Sequence, residues 1–380
     1  MPVVVDVDAL EDCPIGGVPV LCEAEGGGIG LGAHLTIPFD QDRPASRSRR
    51  QQLREQPLRY RRTMSQPPVP PEVPDSTALP VLFFDRPVSE PVAALLVGRA
   101  LTSGPDPADL ADSDGAIIGA TQLWNAETVA ASPRLRVVSR TGIGYDNVDV
   151  GSLASVGVTV CNAPEAPSVS TAEHTLMLML ALTKHLDANV ARARAGDAGA
   201  ATSNSLELDG RTLGLVGFGR IARRVAASAG AMGMRVIAYD PFVADNTTGV
   251  GMVPLDRIWA DSDVVSLHAP ATADTRHLIC THTIAAMRPG AYLVNCARGA
   301  LVDQEALLAA LDNGHLGGAA LDVTEPEPLP VGHPLLSHPR VIVTPHCASS
   351  TGAGRVRLFA HAIDNALGVL TGGPATVVRP

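Results

Sequence analysis

The chain has 380 residues, room for roughly two domains of about 150 residues each. Apolar residues make up 46% and charged residues 18%, which excludes an intrinsically disordered chain. No apolar run approaches the ~20 residues of a membrane span, and no basic-then-apolar layout opens the chain. Six scattered cysteines without a CxxC pair argue against a zinc ribbon, a thioredoxin-type site or a disulfide scaffold. A cytoplasmic setting is expected.

Net charge is −10, yet eight arginines crowd Arg43–Arg62 against only Asp42 and Glu55. The rest is strongly acidic and repels phosphate backbones, so no nucleic-acid partner is expected. Residues 1–78 read as a leader of disordered composition: glycine clusters, the arginine run, then five prolines between Gln66 and Pro74. No function is expected of 1–63, and translation starting at Met64 would account for them.

From Val81 the pattern becomes α/β. Apolar runs at Val81–Phe84, Ala116–Gly119, Arg136–Ser139 and Val158–Cys161 predict strands, with helical stretches at Glu90–Gly98 and Asn125–Ala131 between them. A long helix is predicted over Ser170–His185. Further strands follow at Leu213–Val216, Val236–Tyr239, Val264–His268, Tyr292–Cys296, Ala319–Val323 and Val341–Thr344. Continuous apolar strands alternating with helices imply parallel sheets covered on both faces. A last helix, Arg355–Leu370, follows the second series, so one domain inserted into another is the economical architecture.

Gly217-Phe-Gly219-Arg220-Ile221-Ala222 follows an apolar strand and opens the amphipathic stretch Ile221–Met232, a G-x-G-x-x-A loop in its proper setting. Gly217 makes the tight turn, Gly219 admits a pyrophosphate to the helix N-terminus, and Ala222 is small enough for helix–strand packing. The next strand ends at Asp240, 18 residues after Ala222. A carboxylate there accepts hydrogen bonds from a ribose diol and repels a 2′-phosphate, which favours NAD over NADP. A short-chain dehydrogenase plan fails, because no tyrosine has lysine four residues on and Lys184 is the only lysine.

Three later strands each deliver an ionisable residue at the carboxyl end, where ligands of open α/β sheets bind: Arg298, Glu327 and His346. The set suits reduction of a 2-oxo acid. Arginine clamps the carboxylate and polarises the ketone, while protonated histidine gives a proton to the developing alkoxide. Glutamate hydrogen-bonds that histidine and favours its protonated form.

Taken together, from about Val81 to Pro380 the chain resembles the D-isomer-specific 2-hydroxyacid dehydrogenases. The resemblance rests on Arg140-Thr-Gly-Ile-Gly-Tyr-Asp-Asn-Val-Asp149, Ala172-Glu-His-Thr175, the Gly217 loop and Ser266-Leu-His-Ala-Pro270. Asn295-Cys-Ala-Arg298-Gly299, Leu321-Asp-Val and Thr344-Pro-His346 complete it. It implies two Rossmann-like, doubly wound parallel-sheet domains. The NAD-binding domain, 164–346, would be inserted into a flavodoxin-like substrate domain of 79–163 and 347–380. It assigns the chemistry to Arg298, Glu327 and His346, with Glu327 preferred to Glu325. Cofactor contacts carry over to Thr175, Gly217, Gly219, Arg220, Ile221, Asp240, Ala269, Cys296 and Asp322, the last reading the nicotinamide amide. Gly119, Ala120 and Arg140 join Arg298 around the substrate. NAD is the implied cofactor, no metal is implied, and a homodimer is expected.

Phosphoglycerate dehydrogenases of this family hold the phosphate with basic and Asn side chains. Here Ala116–Thr121 and Pro164–Ser168 contain neither. The expected substrate is therefore a small unphosphorylated 2-oxo or 2-hydroxy acid, with D-3-phosphoglycerate as the alternative. An NAD-sensing regulator resembling the C-terminal-binding-protein corepressors is the alternative of another class. Cys296 and Cys347 read as small packing residues, since the chemistry needs no thiolate.

Overall fold

Phe83 and Phe84, neighbours in one strand, pack on opposite layers. Phe83 tilts against Trp124 with 6.3 Å between ring centroids, and Phe84 stacks on Phe359 at 6.2 Å. Both faces of the strand are covered, which is why its residues are apolar without alternation. The computed structural model describes residues 79–197, 205–243 and 248–380; the expected leader lies outside them.

The first sheet is built from β1 (Val81–Phe84), β2 (Leu101–Ser103), β3 (Gly115–Ile118), β4 (Val137–Arg140) and β5 (Thr159–Cys161). All its pairings are parallel and its order is β2-β1-β3-β4-β5, the flavodoxin-like winding. Two short helices, α1 (Glu90–Ala93) and α2 (Val150–Ser155), connect its strands. Then α3 (Ser168–Thr183) and α4 (Leu186–Arg194) lead into the second series.

That series runs β6 (Thr212–Val216), α5 (Arg220–Ala231), β7 (Arg235–Tyr239), β8 (Gly251–Met252), α6 (Leu255–Asp261), β9 (Val264–Leu267) and α7 (Thr281–Ala286). It continues with β10 (Ala291–Asn295), α8 (Gln304–Asp312), β11 (Leu316–Leu321), α9 (Pro334–Ser337) and β12 (Val341–Val343). Its order, β12-β11-β10-β9-β6-β7-β8, is again all parallel and reverses direction between β6 and β9. Val265, Leu267 and Leu293 pack on one face, and Val264, Tyr292 and Val294 on the other.

The last helix, α10 (Gly352–Thr371), is capped by the Thr351 hydroxyl and stopped by Gly372 at φ +76°. It returns to the first sheet, where Phe359, Ala362, Ile363 and Ala366 join Leu82, Phe84, Ile117 and Val137 in one core. Burying side chains such as Phe359 and Ile363 stabilises by roughly 1.5–3 kcal/mol each, which fastens the C-terminal helix to the N-terminal sheet.

Two helical expectations fail. Asn125–Ala131 is a run of turns, although the Asn125 carboxamide accepts from the N–H and the hydroxyl of Thr128 as an N-cap would. The helix expected to reach Gly98 stops at Ala93 and continues as turns to Arg99, with Gly98 left-handed at φ +69°. Helices α2, α4, α6, α7, α8 and α9 and the short strands β2 and β8 are additions to the expected set. Among the described residues, no helix is long and apolar enough to cross a membrane.

Candidate active site

Three hollows meet beyond the carboxyl ends of the two sheets. One, about 580 Å³, is lined by Ile221, His268–Thr272 and Cys296–Arg298 on one side and by Ile143–Asp146 on the other. A small one of about 110 Å³ holds Arg140, Arg298, Asp322 and His346 together. A third, about 560 Å³, opens past His346 and Glu327 toward Gly119, Ala120 and Arg140. The small hollow shares walls with both larger ones, so it is their junction.

At the first hollow the glycine loop fits a dinucleotide. Gly217 is left-handed at φ +89°, and a Cβ there would press on the His268 carbonyl and the Ala269 N at 2.8–2.9 Å. At Gly219 a Cβ would meet nothing within 4 Å, so the backbone before α5 is open to an approaching pyrophosphate. Asp240, at the end of β7, accepts the N–H of Phe218 at 2.8 Å and of Phe242 at 2.9 Å, which holds its carboxylate beside that loop.

Arg298 stands where β10 ends. Asn295 folds the chain back by accepting the Ala297 N–H at 3.0 Å and donating to the Arg298 carbonyl at 2.8 Å. Gly299 must be glycine, since any Cβ would collide with the Thr324 carbonyl. The Arg298 guanidinium reaches Asp146 at 2.8 Å and lies where a side chain at Gly144 would be.

His346 follows β12 and is itself left-handed at φ +49°. Its Nδ1 is 2.5 Å from Glu327 Oε1. A carboxylate only accepts, so Nδ1 carries the proton and Nε2 is left for the hollow. The turn is held by Asp322, which is fully buried. Asp322 accepts the N–H of Cys347 and of Ala348, each at 2.9 Å, and the Thr344 hydroxyl at 2.5 Å. His174 Nε2 lies 3.3 Å from the same carboxylate. Burial pushes the Asp322 carboxyl up, but the hydrogen bonds from His174, Thr344 and the two backbone N–H groups outweigh it and hold it below the usual range.

Arg140, at the end of β4, is pushed down to about 10 by burial and by the neighbouring Arg298 and Arg86, so it stays cationic at neutral pH. Burial pushes the Cys296 thiol up to about 12 and raises that of Cys347, which leaves both as neutral thiols. The His268 imidazole is pushed down to about 4 by burial and is neutral.

Most of the expected residues converge. Arg298, Ile221, Ala269 and Cys296 line the first hollow; Arg140, Asp322 and His346 reach the junction; Gly119, Ala120 and Glu327 border the third. Thr175 lies one layer behind the hollows: its hydroxyl donates to the Thr171 carbonyl inside α3, and its side chain backs Cys296, which lines two of them. The Arg220 side chain turns to Glu165, 3.4 Å away, and not into the cleft. Asp146, His174, Asn295 and Thr344 lay inside the quoted motifs, but spacing gave no sign of their pairings. Arg86 and Arg355, on the third hollow, carried no signal at all.

Comparison with known proteins agrees with this geometry. Residues 176–348 match the family model of the D-isomer specific 2-hydroxyacid dehydrogenase NAD binding domain. The D-3-phosphoglycerate dehydrogenase of Bacillus subtilis is 40% identical over 245 residues, covering 63% of this chain and 46% of that protein. The chain thus spans about half the length of the curated relatives it matches. Among solved structures, the TT0316 protein of Thermus thermophilus is 35% identical with TM-score 0.72, covering 79% of this chain and 100% of the other. The NADPH-dependent glyoxylate/hydroxypyruvate reductase of Sinorhizobium meliloti is 30% identical with TM-score 0.71, covering 79% and 96%.

Proposed function

Because the chain belongs to the D-isomer specific 2-hydroxyacid dehydrogenase family, we propose that it transfers hydride reversibly between NAD(H) and a small 2-oxo or 2-hydroxy acid. One observation carries the reading: Arg298 and His346, the latter paired with Glu327, meet at the junction beside the hollow that the glycine loop adjoins.

The nicotinamide, when bound, supplies or takes up the hydride. Gly217 and Gly219 would bring the backbone to the pyrophosphate, Asp240 would accept from the ribose diol, and Ile221 would wall the cleft. Arg298 pairs with the substrate carboxylate and polarises the ketone, with Arg140 as a second cation at the junction. His346 Nε2 gives its proton to the carbonyl oxygen in reduction and takes it back in oxidation. Glu327 holds Nδ1, fixing which nitrogen faces the substrate. Asp322 supports the turn that presents His346.

Residues 79–163 with 347–380 serve as the substrate domain in this reading, and 164–346 as the nucleotide domain. The absence of a CxxC pair supports a reduced cytoplasm, and the exposed Met177, Leu180 and Leu186 support a homodimer that covers them. The experiment is NADH oxidation with a panel of 2-oxo acids, phosphorylated and not. Turnover supports the dehydrogenase. Tight NADH binding without turnover of any acid would support the regulator instead.

A further inference from the structure

The five-stranded sheet has a switch point of its own, between β1 and β3. In open parallel sheets, the crevice beyond the carboxyl ends at such a point is where ligands sit. Here the chain places Asp85-Arg86 after β1 and Gly119-Ala120 after β3. The β3 loop has no basic residue, yet the Arg86 guanidinium lies directly over Gly119, in the space a side chain there would fill. Asp85 fixes it with a bidentate pair, Nε at 2.8 Å and Nη2 at 3.2 Å, and also accepts the Gly119 N–H at 2.5 Å. That pair uses two of the five guanidinium N–H groups and leaves the others available to a ligand.

Arg86 shares the third hollow, about 560 Å³, with Arg140, Arg355 and His346. The acids nearby are committed: Glu327 to His346, and Asp85, its side chain 5% exposed, to Arg86. Among the described residues, neither Arg140 nor Arg355 makes an ion pair, and Arg140 Nε is buried with no partner. Arg298 on the junction serves the reacting carboxylate, so one substrate charge leaves this hollow with an excess of fixed cations. Its volume, within the ~300–1,000 Å³ usual for ligand sites, also exceeds what a two- or three-carbon acid fills.

We propose that the hollow receives a second anionic group at the end of the substrate remote from the 2-oxo acid, and that Arg86, with Arg355, selects for it. The inference rests on the dehydrogenase reading above and deepens it: the substrate is dianionic. A terminal carboxylate and a phosphate monoester share the needed chemistry. Arg86 supplies, from a different strand, the cation that the β3 loop lacks.

The test compares kcat/KM of the full chain with NADH for 2-oxobutyrate, 2-oxoglutarate, oxaloacetate and 3-phosphohydroxypyruvate. A dianion should exceed the monoanion by about tenfold or more, the worth of one charge-assisted pair. Whether the carboxylates or the phosphate ester gain identifies the group. Arg86→Gln and Arg355→Gln should each reduce the dianion-to-monoanion ratio severalfold or more, and Arg86→Lys should keep most of it. A ratio near one in the parent enzyme, or a ratio unmoved by both glutamine variants, overturns the proposal. Dissociation constants of the same acids on the NAD⁺ complex, where no oxo acid can be reduced, give an independent readout. Dianion preference in binding without turnover keeps the subsite and refutes the redox reading. Turnover without preference does the reverse.

Discussion

The N–H of His346 donates to the main-chain carbonyl of Asp322 at 2.8 Å, and the Asp322 carboxylate takes the next two N–H groups of the same turn. The position of the acid–base residue therefore depends on a buried carboxylate that itself need not touch substrate. Asp322→Asn replaces one acceptor oxygen by a donor, so at least one buried N–H loses its partner at a cost of about 1–3 kcal/mol. The expected result is a lower Tm together with a lower kcat, read by calorimetry and steady-state kinetics. A variant that kept both and lost only NAD affinity would assign Asp322 to the nicotinamide amide alone.

Stability should fall on acidification in two stages. The His268 imidazole, pushed down to about 4 by burial, stays neutral in the fold while an unfolded histidine protonates near ~6.5. Its contribution is complete above ~6.5 and is lost as the pH falls toward the folded value. Asp322, held below the usual carboxylate range, contributes fully above the unfolded value of ~3.9 and loses that contribution as the pH falls through its folded one. A Tm-against-pH curve should thus decline first between ~6.5 and 4 and again below it. His268→Gln should flatten the first stage only; a curve unchanged there would remove His268 as its cause.

Cofactor choice rests on Asp240. Its carboxylate, held beside the glycine loop by the N–H of Phe218, should favour NADH over NADPH through ribose hydrogen bonds and repulsion of a 2′-phosphate. Asp240→Ala combined with an arginine at Pro241 should narrow or reverse the ratio of kcat/KM values. Equal kcat/KM for both cofactors in the parent enzyme would contradict the assignment.

Strands of the second sheet were legible because burial on both faces makes each a continuous apolar run: Thr212–Val216 and Val264–Leu267 each lie within one residue of their expected bounds. Strands β8 and β2 were not: β8 has two residues, and β2 (Leu-Thr-Ser) is mostly exposed, so no apolar run marks either. At the site, Arg298, Glu327 and His346 could be read because each ends a strand, and strand ends converge. Asp146 and Arg86 could not. Asp146 matters through Arg298, 152 positions away, and Arg86 is placed over Gly119 by Asp85, whose bond to the Gly119 N–H spans 34 positions; no local pattern encodes such contacts. The Thr175 hydroxyl bonds its own i−4 carbonyl, as a threonine in a helix readily does, a pairing that the motif alone does not show.

The acid–base pair gives the prediction closest to mechanism. Glu325, the other acid of the loop, is taken by Arg276 through two contacts of 2.9 and 3.0 Å, which leaves Glu327 as the partner of His346. Reduction requires the imidazolium and oxidation the neutral base, so the two directions should respond oppositely to pH through one group. Glu327→Gln keeps the size but replaces oxygens that only accept with an amide that can also donate, so the Nδ1 proton is no longer held in place. A lower kcat is expected with cofactor affinity little changed, read by steady-state kinetics and cofactor titration. His346→Ala should lose about 10²–10⁴-fold in kcat, the usual worth of a positioned general acid. Arg298→Ala should raise the KM for the oxo acid as well as slow turnover, because it removes both the clamp and the polarising cation. A Glu327→Gln enzyme with kcat unchanged in both directions would show that the 2.5 Å contact is not what orients His346 for proton transfer.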